Sequence, residues 1–184
     1  MKIKRQDILE ATLSLADKNG LSGVSLKSVA KYLNIKTPSL YNHIESLEDL
    51  LFSAASCGMK EMNSLLKECA VGISGEQAVL AVAQQYLSYL TVHPGIYETI
   101  QWAFWQNNTE IQQHFQNYRQ LLKKLIVSCG FKTEQAEQNA DILSGFLHGF
   151  CTQQLGNAIS SPEKVFPKLE FAVKALLQGL KTQA

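Results

Sequence analysis

The sequence predicts an all-α protein: an N-terminal three-helix helix-turn-helix domain followed by a C-terminal helical bundle, about nine helices in total. Three observations predict it. Apolar residues recur at helical spacing along most of the chain. No segment sustains the alternation of a half-buried strand. Only four prolines interrupt the 184 residues, and long helical periods run between them.

The first helix is carried by "RQDILEATLSLADKNG", with Ile8, Leu9, Thr12, Leu15 and Ala16 on one stripe. Asn19-Gly20 ends it, because glycine accepts the left-handed cap conformation. Ser25 is a good N-cap for the second helix, whose Leu26, Val29, Ala30 and Leu33 share a face. Asn34 breaks that pattern. Thr37 is placed to cap a third helix over 37–44, with Pro38 in the first position, where no N–H is needed. Leu40 and Ile44, four apart, form its inward pair. Ser46 with Asp49 resembles a capping box and opens a long helix through "LEDLLFSAASCGMKEMNSLLKE". A Gly/Ser break at 71–76 follows, then "QAVLAVAQQYLSYLTVH", Pro94-Gly95 and "IYETIQWAFWQ". Asn107-Asn108 precedes the helix that Gly130 stops. Two long helices finish the chain, over 134–157 and 163–180. Ser161-Pro162 opens the last, and Pro167 marks either a kink or a later true start.

Composition narrows the class. Hydrophobic residues make up 46% and charged ones 18%, a globular balance. No window offers eighteen uncharged apolar residues, so no transmembrane helix is expected. Asp7 and Glu10 interrupt the first apolar run, unlike a secretory leader, and a cytoplasmic location is expected. Cys57, Cys69, Cys129 and Cys151 show no CxxC spacing and no paired histidines, so no metal site is expected. They read as reduced thiols, with a redox sensor as the sharper alternative. Net charge is +1, but it is uneven. Residues 1–44 carry seven basic against three acidic side chains; the remainder carries ten against thirteen. A basic end on a near-neutral chain points to an anionic partner for that end.

The two short helices over 25–33 and 37–44, joined by a tight turn, have helix-turn-helix spacing. With Leu40 and Ile44 turned inward, Thr37, Ser39, Tyr41, Asn42 and His43 are left at the helix start or facing out. Short polar side chains there suit the major groove. Tyr and Lys supply phosphate contacts, which position without specifying. Residues 4–51, "ILEATLSLADKNGLSGVSLKSVAKYLNIKTPSLYNHIESLEDLL" above all, resemble the DNA-binding domain of the TetR/AcrR family of bacterial transcriptional regulators. The resemblance implies a homodimer, with a DNA-binding domain over 1–46 and a ligand-binding and dimerisation domain over 47–184. It makes Thr37, Ser39 and Asn42 candidates for base-edge or nearby phosphate contact, and Tyr41 and His43 for backbone contact. Lys27 and Lys36 become phosphate partners, and Ser28 joins the expected DNA-binding set. Where the family often carries a lysine ahead of its fourth helix, this chain has Leu47, with Glu45 just before it. "HPGIYETI" and "ILSGFLHGF" also resemble a subgroup marked by a His-Gly pair in the penultimate helix, here His148-Gly149, without the tryptophan usual upstream.

In the second half, Tyr86, Tyr89, Trp102, Trp105, Phe115 and Tyr118, joined by Met59 and Met62, are either ordinary core or the lining of an effector cavity between helices. Arg119 reads as a surface ion pair or as an anion partner. Phe146, His148, Gly149 and Phe150, then Phe166, Leu169, Val173 and Leu176, are the expected dimer interface: two helices from each subunit around a two-fold axis. No GxGxxG, P-loop, HExxH or GxSxG occurs, so neither a cofactor nor an enzyme is expected. The best reading is a regulator, bound to an operator and released by a small molecule. A regulator switched by cysteine oxidation, an architectural DNA-binding protein and a small-molecule enzyme are the alternatives.

Overall fold

The computed structural model describes residues 3–156 and 162–182. Among them are eight α-helices, three short 3-10 helices and no strand. In chain order these are α1 (Arg5–Asn19), α2 (Leu26–Tyr32), α3 (Leu47–Glu68), α4 (Gly75–Val92), α5 (Pro94–Trp105), α6 (Thr109–Ser128), α7 (Thr133–Gly156) and α8 (Phe166–Thr182). The segment Thr37–Asn42 is a 3-10 helix and makes the ninth expected element.

Several local signals act as the sequence requires. Gly20 has φ of 72°, and its N–H closes α1 onto Ala16 O at 2.8 Å. Ser25 caps α2 by accepting from Ser28 N at 3.0 Å. Asn34 and Asn107 take the left-handed conformation that asparagine tolerates, with φ of 54° and 55°. Ser46 Oγ accepts from Asp49 N at 3.0 Å, and Asn108 Oδ1 accepts from Ile111 N at the start of α6. Pro167 lies in the first turn of α8, so it marks the later true start. The Ser161 half of the expected opening lies outside the described residues. At Thr37–Asn42 the cap position falls to Lys36 rather than the expected Thr37, and no side-chain cap bond forms.

The chain divides into two compact units, one running through Glu61 and including His93–His114, the other comprising Met62–Val92 and the chain from Phe115. The compact division therefore does not fall at residue 46. In the first unit, Ile8, Leu15, Val29, Leu40, Ile44 and Leu50 form the centre of a core under the helix-turn-helix. α5 packs on the C-terminal end of α1. In the second, α4 packs against α7 and α8, which also meet each other. Leu87, Leu90, Leu122, Ile126, Leu143 and Leu147 are fully buried there. No described helix is long and apolar enough to cross a membrane.

Candidate nucleic-acid interface

The 3-10 helix Thr37–Asn42 is anchored through its apolar side chains. Leu40 is fully enclosed, and Ile44, just past its end, is nearly so. Ile35 N donates to Ala30 O at 2.9 Å, which folds the turn back onto α2. With those two side chains inward, Lys36, Ser39, Tyr41 and Asn42 are exposed, while Thr37 and His43 are half-buried. The result is a short polar ridge with no carboxylate between Lys36 and His43. Lys27 is exposed on neighbouring α2. So is Tyr32, 56% exposed at the end of α2, which the sequence pattern did not single out. Its signal was an aromatic residue off the apolar stripe of a short helix beside the turn. Ser28 is half-buried and has a structural role. Its hydroxyl accepts from Ser25 N at 2.8 Å and lies within bonding distance of the Ser25 and Gly23 carbonyls, which holds the start of α2.

The segment "HPG" has a structural role that a reading for breaks did not supply. Asp17, in the last turns of α1, caps α5: its Oδ1 accepts from Ile96 N at 2.9 Å, and its Oδ2 lies 2.8 Å from His93 Nδ1. Glu98 Oε2 accepts from Leu21 N at 2.8 Å. Gly95 sits against the Ala16 carbonyl so closely that a Cβ there would overlap its oxygen and carbon.

The expected effector set separates. Trp102 packs on the head core and stacks on Phe52 at 4.9 Å, so it is framework of the first unit. Trp105 is 75% exposed at the end of α5. Met59 is buried in the first unit. Met62, Tyr86, Tyr89 and Tyr118 are buried in the second, Phe115 is half-buried there, and the Tyr86 and Tyr118 rings stack at 5.7 Å. Arg119 pairs bidentately with Asp141, Nε to Oδ1 at 2.8 Å and Nη2 to Oδ2 at 2.7 Å, which is the surface ion-pair reading.

Two of the expected interface residues are not free. Leu169 and Val173 are 0% exposed within one subunit; they complete its own core. Phe146, Phe150, Phe166 and Leu176 are half-buried, and Gly149 is exposed. His148 is exposed too, yet partial desolvation of its ring lowers its pKa. Phe171 on α8, absent from the expected set, is 76% exposed.

A polar cluster between α3 and α6 invites a catalytic reading and resists it. Ser56 Oγ donates to Glu110 Oε1 at 2.5 Å and lies 3.0 Å from His114 Nε2. In a nucleophilic triad the acid and the hydroxyl engage opposite nitrogens of the imidazole. Here Glu110 stands 3.9 Å from the same Nε2, and the serine residue is only 7% exposed. The cluster is a polar pin between helices. Among the described residues no group of three or more His, Cys, Asp or Glu is placed to hold a metal ion.

Burial pushes all four thiols up, Cys151 to about 12. The thiolate is the reactive form. A disulfide-exchange reagent at neutral pH is therefore expected to label native Cys151 far more slowly than the unfolded chain; equal rates would contradict the burial argument.

The fold is a helix-turn-helix unit followed in the chain by further helices. Residues 79–176 match the family described as tetracyclin repressor-like, C-terminal domain. Over 174 residues the chain is 29% identical to the uncharacterized HTH-type transcriptional regulator YobS of Bacillus subtilis, covering 94% of this chain and 90% of that one. Its fold matches a transcriptional regulator from Rhodococcus sp. RHA1 with a TM-score of 0.81 at 19% identity, covering 96% and 97% of the two chains. It also matches a TetR variant from Acinetobacter baumannii crystallised with minocycline, TM-score 0.68 at 16% identity, covering 99% and 98%. The chain belongs to the TetR family of transcriptional regulators.

Proposed function

We propose that the chain is a homodimeric repressor that binds a near-palindromic operator through residues 36–43 and is released by a small, largely apolar effector. The observation that carries the reading is the acid-free polar ridge of the recognition helix, held outward by buried Leu40 and Ile44. In functional terms residues 1–46 read DNA and residues 47–184 dimerise and hold the effector.

Major-groove entry needs a slim polar helix, and Thr37, Ser39 and Asn42 present short donors and acceptors for base edges. Tyr41, His43, Lys27, Lys36 and Tyr32 surround them as phosphate partners. A two-fold dimer carries two such helices, so half-sites should lie one helical turn, roughly 34 Å, or a multiple apart. The dimer reading rests on the free faces of α7 and α8. Ile142, Gly145, Phe146 and Gly149 follow helical spacing on α7, and a Cβ on either glycine would meet nothing within its own subunit. The effector reading rests on the buried aromatics Tyr86, Tyr89 and Tyr118 with Met62. The minocycline complex of the A. baumannii protein is a precedent for a small molecule on this fold. Control of DNA affinity then requires only that the effector bind the released form more tightly; about 1–3 kcal/mol of coupling gives 5–150-fold relief.

The test is selection of duplexes from a random pool. A near-palindromic consensus is expected; recovery of no enriched sequence would sink the reading. Asn42→Ala should change the base preferred at one position per half-site. Lys36→Ala should weaken all duplexes alike and reduce the salt slope by about one unit per head. An unchanged consensus and slope in both variants would dismiss 37–42 as the reading element.

A further inference from the structure

We propose that Arg5 is a positioning residue for DNA recognition: its guanidinium fixes the C-terminal end of the recognition helix from outside the helix-turn-helix. The inference rests on the DNA-reading role assigned above.

A 3-10 helix of six residues cannot hold its own orientation well. Its bonds are fewer and poorer in geometry than those of an α-helix, and Thr37–Asn42 closes with two amides, His43 N and Ile44 N, on a single carbonyl, Leu40 O. Leu40 and Ile44 fix its depth in the core. They do not fix the turn that follows, which links it to α3. Arg5 does. Its Nη1 donates to His43 O at 3.1 Å, across 38 residues of sequence. Its Nη2 donates to Ser53 Oγ at 2.7 Å and reaches Asp49 Oδ1 at 3.3 Å, both on α3. The other oxygen of Asp49 accepts from Glu45 N at 3.0 Å. The turn is thus held at one end by the guanidinium and at the other by the carboxylate that the guanidinium touches. Only arginine offers a rigid fork with enough donors to serve three acceptors at once.

Arg5 is half-exposed and Asp49 partly so. Ion pairs of that kind add little to folding stability. What the fork controls is orientation, and base-edge hydrogen bonds weaken steeply as distance and angle drift. A positioning role therefore has its own signature. Loss of Arg5 should reduce the preference for the right sequence more than it reduces thermal stability. A phosphate contact would instead weaken all duplexes equally and lower the salt slope.

The experiment compares the duplex selected by the wild-type protein with a scrambled one, at several salt concentrations, for wild type, Arg5→Gln, Arg5→Lys and Ser53→Ala. For Arg5→Gln, a loss on the order of tenfold on the selected duplex is expected, as for one misplaced base contact. Binding to the scrambled duplex and both salt slopes should stay as in wild type. Arg5→Lys, which keeps the charge without the fork, should recover little of the preference. A parallel loss on both duplexes with a shallower slope would make Arg5 a phosphate contact and overturn the proposal; so would an unchanged preference. Should Arg5→Gln fail to fold, Ser53→Ala decides, since it removes one of the three bonds and leaves the charge. A smaller loss of preference is expected there, and none would overturn the proposal. If the wild-type protein selects no duplex at all, the DNA-reading role itself fails, and the role of Arg5 in recognition falls with it; selection by wild type with an unaltered preference in the variants removes Arg5 alone.

Discussion

Replacing Gly95 with alanine is expected to lower the thermal midpoint by several degrees, although helix propensity alone argues the other way. Inside a helix, Gly to Ala gains roughly 0.8–1 kcal/mol. At this position the added Cβ would overlap the carbonyl of Ala16 and crowd the amide of Asp17. Those are backbone atoms of α1, not the end of a flexible side chain, so relief requires α5 to move off α1. Overpacking of that kind costs about 1–3 kcal/mol, occasionally more. Moving α5 also pulls Ile96 N and His93 away from Asp17, and Glu98 away from Leu21 N. The loss therefore outweighs the propensity gain. At roughly 2–4 °C per kcal/mol for a chain of this size, a fall of a few to ten degrees follows. Faster amide exchange in the last two turns of α1 should accompany it. Asp17→Asn keeps the packing and one acceptor, and should cost less. A midpoint for Gly95→Ala at or above wild type would show that the contact yields freely.

That site illustrates which parts of the molecule were legible in its sequence. Most of the helix-turn-helix unit was, because its signals are local, although Thr37 does not cap the segment it begins. Ser25, Gly20, Asn34 and the Leu40–Ile44 pair each act on neighbours within a few residues, and each does what its chemistry requires. Pro94-Gly95 was legible as punctuation and as part of a subgroup resemblance, but not as a docking point. Its docking role depends on Ala16 and Asp17, more than seventy residues earlier, and nothing in a linear reading brings them together. Arg5 and His43 pose the same difficulty across 38 residues. The aromatic residues between 86 and 118 cluster in sequence, which leaves ordinary core and a single cavity lining both open. In space they separate: Trp102 stacks on Phe52 in the head unit, while Tyr86 stacks on Tyr118 in the other. Periodicity identifies that a residue is apolar and on a stripe. It does not identify which core the stripe meets. Leu169 and Val173 fell to their own subunit for that reason, and Phe171, off their stripe, was passed over although it stands far into solvent.

Phe171→Glu is expected to convert the proposed dimer to a monomer and to weaken binding to its proposed operator. On α8, Pro167, Phe171 and Ala175 stand four apart and are all exposed, and Ile142 on α7 is 39% exposed. An exposed phenylalanine alone is unremarkable on a protein surface. One aligned with further apolar positions on its own helix, in a chain whose penultimate helix also bares two glycines, is placed for a second copy of the same face. In such a two-fold contact each substitution enters twice. A glutamate at 171 therefore places two carboxylates in or beside a desolvated seam, where an unpaired charge is costly. Sedimentation at micromolar concentration should report a mass near 20.5 kDa for the variant and twice that for wild type. Operator binding should fall by about 10²–10⁴-fold, because the second half-site no longer acts at high effective concentration. Binding to an isolated half-site should be unaltered, which separates loss of dimer from loss of head. Val127→Glu provides the control, since Val127 is an exposed apolar residue on α6 and not one of the residues assigned to the interface; it should leave both mass and affinity in place. A dimeric Phe171→Glu, or a wild-type chain that sediments as a monomer, would remove α7 and α8 as the interface.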